Sequence, residues 1–128
     1  MTLFFDRNLA KKVPEALALL GLSVEKHDDH FSSTTTDEEL LRALGARQWV
    51  MVTDDEELTR NRSALAALSD HRAKCFILAG AGHRPRWYAV RIIARNWERI
   101  EELVANEAPP FLYKLYLQYS AQRVALPG

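Results

Sequence analysis

The sequence predicts an α/β fold: a single three-layer α/β/α domain with a mostly parallel four-stranded central sheet and a C-terminal antiparallel edge piece. Short segments rich in apolar residues alternate with segments of helical periodicity, the pattern of a parallel sheet covered on both faces. The 128 residues suffice for one hydrophobic core and not for two, so residues 1–128 are expected to form one domain. The hydrophobic and charged fractions, 48% and 27%, are those of a globular protein.

The predicted strands are short segments bounded by polar residues or glycine. In chain order they are residues 2–5, 22–26, 49–52 and 74–78. Residues 111–118 alternate apolar and polar side chains, as an exposed antiparallel edge strand does, and residues 122–126 are expected to pair back on them.

The predicted helices cover residues 9–20, 37–44, 56–68 and 87–104. Asn8 is the expected N-cap of the first helix, and Gly21 its stop. Thr36 and Thr53 each have Glu three residues later, the capping-box pattern of a helix start. Residues 27–36 are polar and predict a solvated loop, which includes the segment His-Asp-Asp-His at 27–30.

The charge is balanced overall but unevenly distributed along the chain. Residues 1–57 hold 12 acidic and 6 basic side chains, whereas residues 58–128 hold 5 acidic and 11 basic ones. This asymmetry is typical of an acidic centre beside a basic surface, unless the fold mixes the two halves.

Cysteine and hydropathy exclude several classes of protein. The single cysteine, Cys75, excludes a disulfide framework and a cysteine-based zinc site within the chain, and it suits a reducing cytoplasm. No apolar run approaches the roughly 18 residues of a membrane span, and the N-terminus does not have the pattern of a secretory signal, so neither is expected.

Acidic residues follow two of the predicted strands. Asp6 follows the first strand, Asp54 follows the third, and Asp37 begins the helix that leads into the third. Because carboxyl ends of neighbouring parallel strands share one edge, we expect the three carboxylates in one pocket, where repulsion raises at least one pKa. Oxygen-only ligands suit Mg²⁺ or Mn²⁺. The alternative is that Asp37 and Asp54 are acids of a first helical turn, which capping and the helix dipole favour.

Arginine and aromatic residues concentrate in the last predicted helix and the segment before it. Three arginines recur every four residues on one face, preceded by two more and interleaved with aromatic rings. The set is Arg91, Arg95 and Arg99, then Arg84 and Arg86, with Trp87, Tyr88 and Trp97. This composition is typical of surfaces that bind single-stranded nucleic acid and of protein interfaces, and a solvated helix face is the third interpretation.

The order of the acidic motifs resembles that of the PIN-like nuclease domains, in particular the compact branch related to VapC-type toxins. The motifs are FFDRNL at residues 4–9, DEELL at 37–41 and VMVTDD at 50–55. Residues 76–78 and 109–111 also resemble that branch, and the resemblance covers most of residues 2–117.

The resemblance implies an activity and a set of site residues. It implies a cytoplasmic metal-dependent endoribonuclease, the toxin of a type II toxin–antitoxin pair, which uses Mg²⁺ or Mn²⁺ to activate water for attack on RNA phosphodiester bonds. The implied catalytic and metal-binding residues are Asp6, Asp37 and Asp54; the auxiliary residues are Asn8, Glu38, Thr53 and Asp55; the RNA-binding residues are Arg91, Arg95 and Arg99. The implied partners are RNA, a cognate antitoxin protein and a second copy of the chain, with no membrane.

A complete site of this family has one more acid, commonly Glu, on an earlier helix. The first predicted helix contains Glu15, but the sequence pattern does not decide whether its side chain faces the site or the solvent. The alternative function is therefore a catalytically incomplete PIN-like module that binds RNA or a partner protein through its Arg/Trp-rich helix. A receiver-like phosphotransfer domain fits less well. Such a domain needs two acids after the first strand, and here Asp6 stands alone. It also needs a lysine after the last strand, whereas Lys74 comes before its strand.

Overall fold

A computed structural model describes residues 1–128 as an α/β fold built on one six-stranded sheet. The strands are β1 (Leu3–Phe5), β2 (Val24–Lys26), β3 (Val50–Thr53), β4 (Lys74–Leu78), β5 (Phe111–Tyr116) and β6 (Ser120–Arg123). The helices are α1 (Lys12–Leu19), α2 (Asp37–Arg47), α3 (Arg62–Asp70), α4 (Arg86–Arg95) and α5 (Trp97–Asn106), with 3₁₀ helices at His27–Asp29, Glu56–Arg60 and Ala81–His83.

The sheet is larger than the predicted four-stranded one. Its order is β2-β1-β3-β4-β5-β6, and every neighbouring pair is parallel except β5 and β6. The prediction that residues 111–118 form an exposed antiparallel edge was wrong, because Phe111, Leu112 and Leu115 are buried and β5 pairs parallel with β4. Helices α4 and α5 supply the long crossover that a parallel pair needs. The antiparallel edge is β6 alone, which pairs back on β5 as expected.

Helices cover both faces of the sheet. One buried cluster joins residues of α1, α4 and α5 to Phe5, Phe76 and Phe111 of the strands. The other joins residues of α2 and α3 to Phe4 and Ile77. Successive strand residues therefore serve opposite faces, so both faces of β1 and β4 are buried, as in a sheet with helices on each side. No helix has the length and apolar composition needed to cross a membrane.

Two predicted helices are divided by an asparagine. Asn61 separates the 3₁₀ helix Glu56–Arg60 from α3, and its side chain caps α3 by accepting the Ala64 N–H at 3.1 Å. Asn96 separates α4 from α5; its buried side-chain amide donates to the Tyr116 carbonyl at 3.0 Å. Residues 87–104 are therefore two helices, because β5 provides an acceptor that the local sequence does not reveal.

Helix α2 is held close to α3, and this contact fixes where Asp37 lies. Thr36 caps α2 by accepting the Glu39 N–H at 3.2 Å, which confirms the capping pattern there. Farther along α2, Gly45 packs against the backbone of His71, the residue that follows α3, so closely that a Cβ at Gly45 would overlap the His71 carbonyl oxygen.

Replacing Gly45 with alanine is expected to lower the free energy of unfolding by about 1–3 kcal/mol, since the new methyl group forces the two helices apart. Ala46→Ser, an exposed change one residue later, is the control and should stay within about 0.5 kcal/mol of the wild type. Urea unfolding followed by circular dichroism measures both. Equal midpoints for the two variants would show that α2 and α3 do not pack as described.

Candidate functional site

The candidate site is built where β1 and β3 end side by side. Asp6 directly follows β1, and its N–H donates to the Val52 carbonyl at 3.0 Å. Thr53, the buried last residue of β3, donates its hydroxyl to Asp6 Oδ2 at 2.9 Å. The same hydroxyl oxygen accepts the Asp55 N–H at 3.1 Å. One hydroxyl therefore links a strand-end carboxylate to the backbone of a second acidic residue.

Three aspartates border one small pocket at this edge. Asp6, Asp37 and Asp55 line a pocket of about 60 Å³ together with Thr53 and Asn61. Asp37 reaches it because it is the first residue of α2. The remaining lining is apolar: Leu40, Leu41, Met51, Leu58 and Ala64. The structure thus groups oxygen-bearing side chains in a pocket whose other lining residues are apolar.

Asp54 does not line this pocket. It lines a neighbouring polar cavity of about 480 Å³ with Asn8, Gly82 and His83, and Asp55 borders both cavities. The side chains of adjacent residues in an extended chain point in opposite directions. The two consecutive aspartates after β3 therefore lie on different sides of this edge of the sheet. Of the predicted acids, Asp6 and Asp37 share one pocket with Asp55, and Asp54 lies beside it, near enough for the charge of Asp6 to raise its pKa.

Burial and mutual repulsion raise two pKa values at this edge. Burial raises the pKa of Asp6, the Thr53 hydroxyl and the Arg7 N–H oppose that rise, and the charge of Asp55 adds to it. Burial also raises the pKa of Asp54, and the neighbouring charge of Asp6 raises it further. Clustered carboxylates of this kind favour a bound cation, which relieves their repulsion.

The donor chemistry of the pocket suits a hard divalent cation. The carboxylates of Asp6, Asp37 and Asp55 are oxygen ligands, which Mg²⁺ and Mn²⁺ prefer, whereas the Asn61 amide oxygen already accepts the Ala64 N–H. No group of three or more His, Cys, Asp or Glu side chains converges closely enough to hold an ion. The residues therefore fit such an ion by type, and the carboxylates would have to draw together to enclose it.

Two other acids are engaged away from the pocket. Glu38 accepts a hydrogen bond from His71 at 2.7 Å and pairs with Arg42, and the His71 bond lowers its pKa. Glu15 pairs with Lys26, with which it shares a 3.3 Å hydrogen bond, and does not line the pocket. Neither Glu38 as an auxiliary residue nor Glu15 as a further acid reaches the three aspartates. Asn8, which is not the N-cap of α1, lies on the Asp54 side.

His27 lies closer to the site than its polar sequence context indicated. The prediction of a solvated turn was wrong for this residue, which is buried against Phe4 and Phe31. It borders a cavity of about 40 Å³ beside Asp6, and its charged form lowers the pKa of Asp6. Its Nδ1 lies 3.2 Å from Asp28 Oδ1.

The predicted arginine face is divided by the helix break. Arg91 and Arg95 are exposed on α4, whereas Arg99 lies on α5, with its guanidinium 4.3 Å from the centre of the Tyr119 ring. A groove of about 660 Å³ beside Asp54 is lined instead by Arg84, Arg86 and Trp87. These residues do not belong to the predicted face, on which arginines recur every four residues. Their sequence signal was their position just after β4, at another carboxyl end of the sheet.

Comparison with known proteins gives one family. A family model described as a PIN-like domain matches residues 1–80. That range runs from β1 to just beyond the end of β4 and includes Asp6, Asp37, Asp54 and Asp55. Neither a curated protein nor a solved structure matches the chain.

Replacing Asp6 with asparagine is expected to stabilise the fold at neutral pH by on the order of 1 kcal/mol. Because the pKa of Asp6 is raised in the folded state, the native protein keeps the carboxyl proton of Asp6 to higher pH than the unfolded chain does. The neutral carboxyl therefore contributes its full stabilisation below the unfolded-state pKa of Asp6, and this contribution is lost as the pH rises through the folded-state pKa. Above that pH the buried negative charge opposes folding. Asparagine removes that charge, and its amide oxygen can still accept the Thr53 hydroxyl.

Urea midpoints measured from about pH 4 to about pH 8 test this expectation. The wild type should lose stability across the lower part of that range more steeply than the Asp6→Asn variant does. Asp70→Asn, at an exposed aspartate that ends α3, is the control and should follow the wild type. An Asp6→Asn variant less stable than the wild type at pH 7 would contradict this account of Asp6.

Proposed function

Because the chain belongs to the PIN-like domain family, whose fold is of a nuclease type, we propose that it is a metal-dependent endoribonuclease. The observation that carries the proposal is the pocket bordered by Asp6, Asp37 and Asp55 at the carboxyl edge of the sheet. In open α/β sheets this edge is where ligands bind. The reaction is hydrolysis of RNA phosphodiester bonds.

The residues of the pocket have separate roles in this proposal. Asp6, Asp37 and Asp55 hold a divalent cation, Mg²⁺ or Mn²⁺, with Asp54 adjoining on the side of the larger groove. When bound, such an ion supplies positive charge that offsets the negative charge of a phosphodiester transition state and acidifies water. Thr53 holds Asp6 in one orientation through its 2.9 Å hydrogen bond, and its tie to the Asp55 N–H fixes the turn that carries both later acids.

The proposed biological role is that of a toxin in a type II toxin–antitoxin pair, related to VapC-type proteins and acting in the cytoplasm. Such a protein needs a surface for its antitoxin or for a second copy of itself. Leu19 and Leu20 at the end of α1 are 90% and 76% exposed, and they support a protein contact on that side. Basic side chains, among them Arg91 and Arg95, are the proposed contacts for RNA phosphates.

A second candidate is a PIN-like module that binds RNA or a partner protein without cleaving. The observation in its favour is that no three potential ligands yet converge on one point. Calorimetric titration with Mn²⁺ separates the two candidates. The nuclease should bind the ion at or below millimolar concentration, and the Asp37→Asn variant should lose most of that heat. A wild type that shows no heat at millimolar Mn²⁺ would favour the module.

Cleavage of a generic single-stranded RNA in Mg²⁺ tests the nuclease directly. Each of the variants Asp6→Asn, Asp37→Asn and Asp55→Asn is expected to cleave about 100-fold more slowly or worse, because each removes a negative charge from the pocket that holds the cation. Chelation by EDTA should abolish wild-type cleavage. The Asp54→Asn variant shows how far the neighbouring cavity contributes, and we expect a smaller loss there.

Asp70→Asn, at an exposed aspartate that ends α3, serves as the control for charge removal elsewhere and should cleave at the wild-type rate. Purified variants need matching circular dichroism spectra so that lost cleavage is not lost folding. Wild-type and Asp6→Asn proteins that cleave at equal rates would overturn the mechanism, since the activity would then come from another site or a contaminant.

A further inference from the structure

We propose that the groove lined by Arg84, Arg86 and Trp87 holds the unpaired nucleotide beside the scissile phosphate, with its base stacked on Trp87 and its phosphates held by the two arginines. The proposal rests on the proposed function in that it takes RNA as the ligand. It goes further by assigning a positioning subsite to residues outside the PIN-like match, which ends at residue 80. We call this feature the α4 groove.

The α4 groove opens directly onto the acidic edge. Asp54 is one of its lining residues, and so are Asn8 and Gly82. A Cβ at Gly82 would lie 3.4 Å from the Asp54 carbonyl oxygen and 4.0 Å from its Oδ2. Since Gly82 has no side chain, nothing at that position stands between the Asp54 carboxylate and the groove. A strand bound in the groove therefore reaches the carboxylates without crossing a barrier.

Trp87 offers the groove an aromatic surface. Its side chain is 72% exposed, whereas Trp49 and Trp97 are half-buried, so Trp87 is not required to fill the core. An exposed indole beside a groove is an unusual use of a large apolar side chain, and stacking of a nucleic acid base on such a ring contributes about 1–3 kcal/mol. Bases within a duplex are already stacked on their neighbours, so this contact requires an unpaired base.

The groove also carries unneutralised positive charge. Neither Arg84 nor Arg86 takes part in any of the ion pairs of the structure, which engage Lys11, Lys12, Lys26, Arg42, Arg60, Lys114 and Arg123. The Arg84 guanidinium lies 4.6 Å from the centre of the Tyr88 ring, which holds it in place while leaving its N–H donors free.

The α4 groove changes from basic to acidic at Asp54. Asp54 is the only acidic residue that lines the α4 groove, and the next residue, Asp55, lines the carboxylate pocket. Phosphates are attracted to the arginines and repelled by the carboxylates unless a cation is bound there. A strand anchored by Arg84 and Arg86 therefore presents its next phosphate at the boundary, where the proposed cation lies.

Binding of a short fluorescein-labelled RNA, measured by fluorescence anisotropy in EDTA, tests the subsite without any cleavage. The Trp87→Ala variant is expected to bind single-stranded RNA about 5- to 150-fold more weakly, the loss of one stacked base. Trp87→Phe should recover most of the affinity, because a phenyl ring also stacks. The same RNA annealed to its complement should bind wild type and Trp87→Ala equally.

Salt dependence tests the arginines. Removing one phosphate contact lowers the slope of log affinity against log salt by about 0.7 for a single strand, and we expect this of Arg84→Ala and of Arg86→Ala. The matched control is Arg72→Gln, at an exposed arginine without an ion pair that lies just before β4, at the opposite end of the strands from the α4 groove. Its slope should equal that of the wild type.

The results distinguish this subsite from the nuclease proposal. A wild type that does not bind single-stranded RNA, an Arg72→Gln variant as weak as Arg84→Ala, or an unchanged affinity of Trp87→Ala would each overturn the subsite. Cleavage in Mg²⁺ at saturating RNA, measured on the same wild-type protein, tests the nuclease separately. RNA binding that depends on Trp87, without cleavage, would support the subsite and reject the nuclease. Cleavage by a protein whose RNA affinity does not depend on Trp87 would support the nuclease and reject the subsite.

Discussion

The hydrogen bond from the Thr53 hydroxyl to the Asp6 carboxylate is the interaction on which the candidate site depends, at 2.9 Å. It exists because β1 and β3 are parallel neighbours in a register that ends them together, with Phe5 opposite Val52. Burial would favour a neutral Asp6, and the bond opposes that tendency by stabilising the charged form. The same hydroxyl restrains the Asp55 backbone, so the geometry of two acids follows from one side chain.

The two halves of the chain meet at this edge with opposite charge. The acidic residues Asp6, Asp37 and Asp55 come from the N-terminal half, and the arginines and tryptophan of the α4 groove come from the basic C-terminal half. Their proximity follows from the strand order, since β4 lies next to β3 and the chain beyond β4 emerges at the same edge. A surface that changes from acidic to basic over one groove suits a polyanion whose backbone must be held near a cation.

Local patterns predicted the strands β1 to β4 and the start of α2, because hydrophobic runs and the Thr36 cap depend on neighbours in sequence. They did not predict the break at Asn96, whose partner is the Tyr116 carbonyl of β5, or the parallel pairing of β5. That Asp55 lines the pocket of Asp6 and Asp37 while Asp54 lines the neighbouring cavity was equally beyond the sequence. Adjacent residues of extended chain face opposite sides, and here the Thr53 hydroxyl accepts the Asp55 N–H as well as donating to Asp6.

The central claim is that Asp6, Asp37 and Asp55 together bind one divalent cation. Diffraction from crystals soaked in Mn²⁺, collected at the manganese absorption edge, tests it most directly. The account predicts an anomalous peak within about 2.0–2.3 Å of carboxylate oxygens from all three aspartates, with Thr53 still bonded to Asp6. A peak held by Asp54 without Asp37, or crystals that take up no manganese at this edge, would contradict it.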